Sequence, residues 1–128
     1  LSPTTDNAYS CGFSSFRWTV IYATTGTINT SDRNEKQDID SLSLAELAVA
    51  RRIKSLIKKF RFKDAVQKKG NDARIHVGAI AQEVQDAFTA EGLNANHYGL
   101  FCSDTSEEGK TTLGLRYEEL LAFVIAAM

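Results

Sequence analysis

The sequence predicts an α+β chain, a short β-rich stretch followed by a helix-rich body. Three observations carry this. Residues 1–30 are rich in Thr, Ser, Asn, Gly and aromatics, hold two charges (Asp6 and Arg17) and show no helical period. From Ser41 onward, apolar residues recur at three-and-four spacing and are broken by short strand-like runs. The last twelve residues, Tyr117 to Met128, are apolar on nearly every side. A chain of 128 residues has room for one compact domain and a short appendage. Its 43% hydrophobic and 24% charged residues are the balance of an ordinary globular chain, which excludes intrinsic disorder.

In the first stretch, Arg17-Trp18-Thr19-Val20-Ile21-Tyr22-Ala23 is a β-type run, and Thr24-Thr25-Gly26 reads as a turn before a second short strand, Thr27-Ile28. So short a tract buries little by itself and reads as the end of something larger. The segment LSPTTDNAYS has neither a basic patch nor an apolar run, so it is not expected to be a signal peptide.

The first helix is expected from about Leu44 to Phe60. Ser43-Leu44-Ala45-Glu46 fits a capping box, with Ser43 as the cap and Glu46 reaching back. Leu44, Leu47, Ala48, Ile53, Leu56, Ile57 and Phe60 follow the spacing of a buried stripe. Phe60-Arg61-Phe62 is a candidate strand at its end, and Lys68-Lys69-Gly70-Asn71-Asp72 a turn. Arg74 to Gly78 reads as a strand feeding a second helix, Ala79 to about Ala90, with Ile80, Ala81, Val84 and Phe88 on its apolar face. Glu91 to Lys110 has no clear period and is either a long excursion or an irregular hairpin. Thr111 to Leu115 is strand-like, and Tyr117 to Met128 closes the chain as a helix. A helix apolar all round needs burial from more than one direction, which in so small a chain favours an oligomer.

Net charge is −1, but residues 51–70 sum to +8, residues 31–50 to −3 and residues 71–128 to −6. The basic segment either meets acidic surfaces of its own or a sister chain, or forms a solvated helix face. A nucleic-acid helix is the weaker reading, because Phe60 and Phe62 look like core and no groove-reading motif accompanies them. Cys11 and Cys102 make no disulfide framework, and His76 and His97 are too scattered for a zinc motif. No apolar run approaches the roughly 18 residues that span a bilayer. Gly78 has no glycine-rich surroundings and is not a phosphate loop. Glu107-Glu108 is a solvated loop tip.

Two clusters carry chemistry. In Ser31-Asp32-Arg33-Asn34-Glu35-Lys36 a serine is followed five residues later by a lysine. A serine hydroxyl is a poor nucleophile until a base takes its proton, and lysine does so only where burial or neighbouring positive charge favours the neutral amine. Five residues along a helix would put the two on different faces, so the pair can meet only in a turn or across subunits. The second cluster runs from Arg74 to Val84: a strand, a glycine and a helix start, in which His76 reads as a structural residue before a catalyst.

In order and separation the two clusters resemble the C-terminal intramolecular chaperone auto-processing domain of bacteriophage tail fibres, tailspikes, endosialidases and neck appendage proteins. The matching positions are Ser31, Asp32 and Lys36; then His76, Val77, Gly78, Ile80, Ala81, Gln82, Glu83 and Val84; then Tyr117 with Leu120 and Leu121. Gly12, Arg17, Trp18, Ile21 and Tyr22 resemble the fibre tip that precedes such domains, with Cys11 as a small apolar filler where an aliphatic residue is usual. The resemblance implies residues 1–30 as the end of a β-rich shaft and residues 31–128 as a helix-rich, intertwined, trimeric chaperone.

It further implies a single-turnover self-cleavage between Thr30 and Ser31. Ser31 would be the nucleophile and Lys36 the base, with Asp32, His76 and Glu83 in support. It implies no metal and no cofactor, and as partners a homotrimer and the upstream shaft, with no nucleic acid and no membrane. Assembly would take place in the host bacterial cytoplasm, leaving the mature fibre on the virion and the chaperone released. The alternative is a permanent trimerisation cap that never cuts.

Overall fold

The computed structural model describes residues 2–13, 15–26 and 30–128. It divides into two compact units, Leu1–Asp40 with Asp104–Thr112, and Ser41–Ser103 with Leu113–Met128.

The second unit opens with helix α1, Leu44–Lys54. The capping box forms as the sequence predicts: the Glu46 amide donates to Ser43 Oγ (3.1 Å) and the Ser43 amide to Glu46 Oε1 (2.7 Å). The helix stops well short of Phe60, however. The Ser55 hydroxyl and amide both turn back to the Arg52 carbonyl, at 2.8 and 3.1 Å, tightening the last turn. Strand β1 then takes Lys58–Phe60 and pairs antiparallel with β2, His76–Gly78, with Lys58 opposite Gly78, Lys59 opposite Val77 and Phe60 opposite His76. Sheet pairing there supplies backbone partners that helix propensity alone would have found further along α1.

Between the two strands lies a helix that the sequence reading lacked, α2, Lys63–Lys69. The expected turn at Lys68–Asp72 begins only at Gly70, whose φ of +59° ends the helix and opens a 3-10 turn over Gly70–Asp72. Helix α3 spans Ala81–Ala90 and α4 Tyr117–Ala126. The segment after α3 contains a 3-10 turn, Ala95–His97, and then β3, Phe101–Thr105, which pairs with β4, Thr111–Leu115. The hairpin alternative for Glu91–Lys110 is thus the one adopted. Its turn is closed by the Ser106 amide on the Lys110 carbonyl (2.8 Å).

The core lies where α1, α3 and α4 meet. Val49, Ala50 and Ile53 of α1 pack with Val84, Ala87 and Phe88 of α3 and with Leu120 and Phe123 of α4. The Phe88 ring stacks on Phe123 and tilts against Tyr98, at centroid distances of 5.9 and 4.7 Å. The expected α1 stripe therefore holds at Ile53 and at the partly buried Leu56 but not in the first turn. Leu44 is exposed, whereas Val49 and Ala50 are fully buried. Apolar residues stand on two sides of α1, and the positions of α3 and α4 decide which side is covered.

In the first unit, the expected strand at Arg17–Ala23 does not form among the described residues. A lone strand has no ladder partner, and the chain instead makes a tight turn in which Phe13 and Phe16 exchange backbone bonds (3.0 and 3.1 Å). Cys11 is exposed and fills no core. The second expected strand, Thr27-Ile28, lies outside the described residues.

Candidate active site

Asp32 starts the site. Its backbone is extended, and its Oδ1 accepts from the Asn34 amide at 2.9 Å, capping a 3-10 turn over Arg33–Glu35. The Glu35 and Lys36 amides bond back to the Asp32 and Arg33 carbonyls, each at 3.1 Å. Lys36 leaves the turn extended, with φ −115° and ψ 150°. An extended residue, one tight turn and a second extended residue bring the side chains at 31 and 36 together. Lys36 Nζ lies 2.9 Å from Ser31 Oγ. At that distance the ammonium donates to the hydroxyl, and the neutral amine would accept its proton. All six residues from Ser31 to Lys36 are exposed.

Of the five expected site residues, the turn unites Ser31, Asp32 and Lys36, with the Asp32 carboxylate engaged as the cap. His76 and Glu83 belong to the other unit and have local partners. His76 stacks on Phe60 (centroids 5.9 Å) and meets the edge of Phe62 (4.9 Å). Glu83, in the first turn of α3, pairs with Lys58 Nζ at 2.7 Å. Among the described residues no group of His, Cys, Asp and Glu is placed to hold a metal ion.

Two anchors explain why the motifs read as they do. The Tyr117 hydroxyl accepts from the Ala79 amide and donates to the Ala79 carbonyl, both at 3.2 Å, tying α4 to the start of α3. That places the Tyr117 ring directly over Gly78, where any Cβ would collide with the phenol. The second anchor, Tyr98 with Glu46 (Oη to Oε2, 2.7 Å), was invisible in the sequence, because 52 residues separate the pair.

The Ser43 amide and then the Tyr98 hydroxyl hold the Glu46 carboxyl below its ordinary range. Burial, and then the Glu46 carboxylate, push Tyr98 up to about 12. The Tyr98 contribution is therefore complete below about pH 10 and lost as pH rises toward 12, and the Glu46 contribution is lost as pH falls through its lowered value. A Tyr98→Phe chain should lose the alkaline step in a series of thermal melts against pH. A step unchanged in that variant would show that another group causes it.

The family model of a peptidase family described as "Chaperone of endosialidase" matches residues 31–93. A solved structure, "Crystal structure of a novel intramolecular chaperon", aligns over 77% of this chain and 94% of its own, with 32% identity and a TM-score of 0.67. The chain belongs to the chaperone-of-endosialidase family. A second solved structure, the carboxy-terminal domain of the bacteriophage T5 L-shaped tail fiber with its intra-molecular chaperone domain, superposes with a TM-score of 0.79 at 28% identity, covering 98% of this chain and 35% of that one. The "Probable tail spike protein" of Klebsiella phage 0507-KN2-1 is 37% identical over 119 residues, 90% of this chain. The chain spans only 10% of that tail spike's length. The α+β fold is thus that of an intramolecular chaperone module of phage tail fibres and tail spikes.

Proposed function

We propose that this chaperone works as a homotrimer on the end of a fibre or spike shaft and frees itself by one cut between Thr30 and Ser31. The single observation that supports the cut is the 2.9 Å contact between Ser31 Oγ and Lys36 Nζ. In this reading residues 1–30 are the end of a β-rich shaft and residues 31–128 are the chaperone. Bringing three chains into register lowers the entropy cost of nucleating an intertwined shaft, whose long-range pairings are slow to find alone.

Chemically, Ser31 Oγ attacks the Thr30 carbonyl carbon while Lys36 takes the hydroxyl proton. The carbon–nitrogen bond breaks, Lys36 passes the proton to the leaving Ser31 amine, and an ester joins Thr30 to Ser31 Oγ. Water then hydrolyses that ester, leaving a Thr30 carboxylate and a free Ser31. Asp32 serves by holding the turn. A lysine base must be neutral, and desolvation favours that form. Both side chains are exposed in the single chain, so the chemistry waits for the trimer or the folded shaft to cover them. The reaction is thereby coupled to assembly. Folding takes place in the bacterial host, and the mature fibre goes to the virion without its chaperone.

The mass of the chain measured under denaturing conditions tests this. Two fragments, the second beginning at Ser31, are expected. An intact mass alone after assembly would turn the reading into that of a permanent trimerisation cap.

A further inference from the structure

Two surfaces of the unit formed by Ser41–Ser103 and Leu113–Met128 are exposed, and they complement each other. The first is one face of the β1–β2 sheet. Lys59 and Val77 are paired and so project to the same side. Continuing the alternation one residue past the paired positions adds Ile57, Arg61 and Ile75, and at the other end Ala79, which is buried in the core. Ile75 is 64% exposed and Val77 73%. The opposite side is occupied by the His76–Phe60–Phe62 rings and the Lys58–Glu83 pair. A two-stranded ribbon with three paired residues per strand is marginal by itself, and the exposed Ile75 and Val77 give this side apolar surface that a partner can cover.

The second surface is the outer stripe of α4. Leu120 and Phe123 face the core, whereas Leu121 and Ile125 are 54% and 65% exposed. Glu118 stands three residues before Leu121 and seven before Ile125, at the head of the same stripe. Among the described residues Glu118, Lys59 and Arg61 make no ion pair.

We propose that these surfaces bind each other between copies: the sheet face of one protomer lies on α4 of the next, with Lys59 and Arg61 against Glu118. The proposal rests on the trimer reading above and specifies its interface. The contact is head to tail, joining two different patches, and such an interface closes into a three-membered ring when each copy is turned 120° from the last. Packing α4 on α4 about a three-fold axis would bring three Glu118 carboxylates together, and sheet on sheet would oppose cations. Both alternatives are disfavoured by like charge. The stretch of residues 1–30, with two charges of opposite sign, offers no acidic complement to the sheet face.

Two variants of the full chain test the arrangement by light scattering at micromolar concentration. One carries Lys59→Glu with Val77→Glu, the other Leu121→Glu with Ile125→Glu. All four side chains are exposed, so helical circular dichroism should survive in both. Each variant alone should associate at least tenfold more weakly than the wild type and run as a monomer. Mixed, they should form a one-to-one pair and no larger species, because each supplies the intact patch that the other lacks. If both variants remain trimers, the interface is wrong while the trimer stands. A wild-type monomer overturns both. Variants that stay monomeric when mixed overturn the head-to-tail arrangement. Should a double variant unfold, Glu118→Gln, which keeps the volume, is read instead, and undiminished association there also overturns the proposal.

Discussion

A Ser31→Ala chain should never yield the fragment that begins at residue 31, yet it should assemble as the wild type does. The substitution removes one exposed oxygen at a turn held by Asp32, so it costs the fold nothing that the helical unit needs. Cleavage loses its nucleophile outright, a loss of many orders of magnitude. Lys36→Arg keeps the positive charge but not the base, because a guanidinium does not give up its proton near neutrality. Its cleavage should slow by about 10²–10⁴-fold, the usual weight of general base catalysis. The uncut Ser31→Ala product keeps its chaperone and should refold after denaturation more readily than a cleaved fibre, whose stability is kinetic once the nucleating module has left. Gel analysis over time reads all of this. A Ser31→Ala chain that still releases the fragment places the nucleophile elsewhere.

What was legible in the sequence was mostly local. Ser43 and Glu46 lie three residues apart, and their box forms as read because its partners are fixed by one turn of helix. Thr111–Leu115 and the helix after Gly78 are likewise short-range patterns. Which residues of the first half of α1 face the core was not legible, since Leu44 and Val49 are equally apolar and only the distant α3 and α4 choose between them. Helix α2 was hidden because seven residues with Ala65 and Val66 as the apolar pair show no period. The strand expected at Arg17–Ala23 failed for the opposite reason: β propensity was present and a pairing partner was not. At the site, spacing alone could say only that Ser31 and Lys36 would need a turn. The Asp32 cap that makes the turn is a further local signal, an Asp two residues before the amide it binds, and it was open to reading.

The largest stability effect is expected at Gly78. Its backbone is not in the left-handed region, so the requirement for glycine is steric: an added Cβ would meet the Tyr117 ring, 3.0 Å from Cζ and nearer still to the hydroxyl. Gly78→Ala must push the phenol away from Ala79, losing two hydrogen bonds and prying α4 from the start of α3. Overpacking of this kind costs about 1–3 kcal/mol, and unmaking bonds to a buried backbone adds about 1–3 kcal/mol more. Tyr117→Phe removes only the second part, so it should be the milder change. The two residues touch, so their effects should not add: in the Tyr117→Phe background, Gly78→Ala should cost clearly less than it does alone. Denaturant titration of the four chains at one protein concentration gives the cycle. Additive losses would separate the glycine from the tyrosine, and a Gly78→Ala chain as stable as the wild type would remove the steric explanation for the histidine-valine-glycine motif altogether.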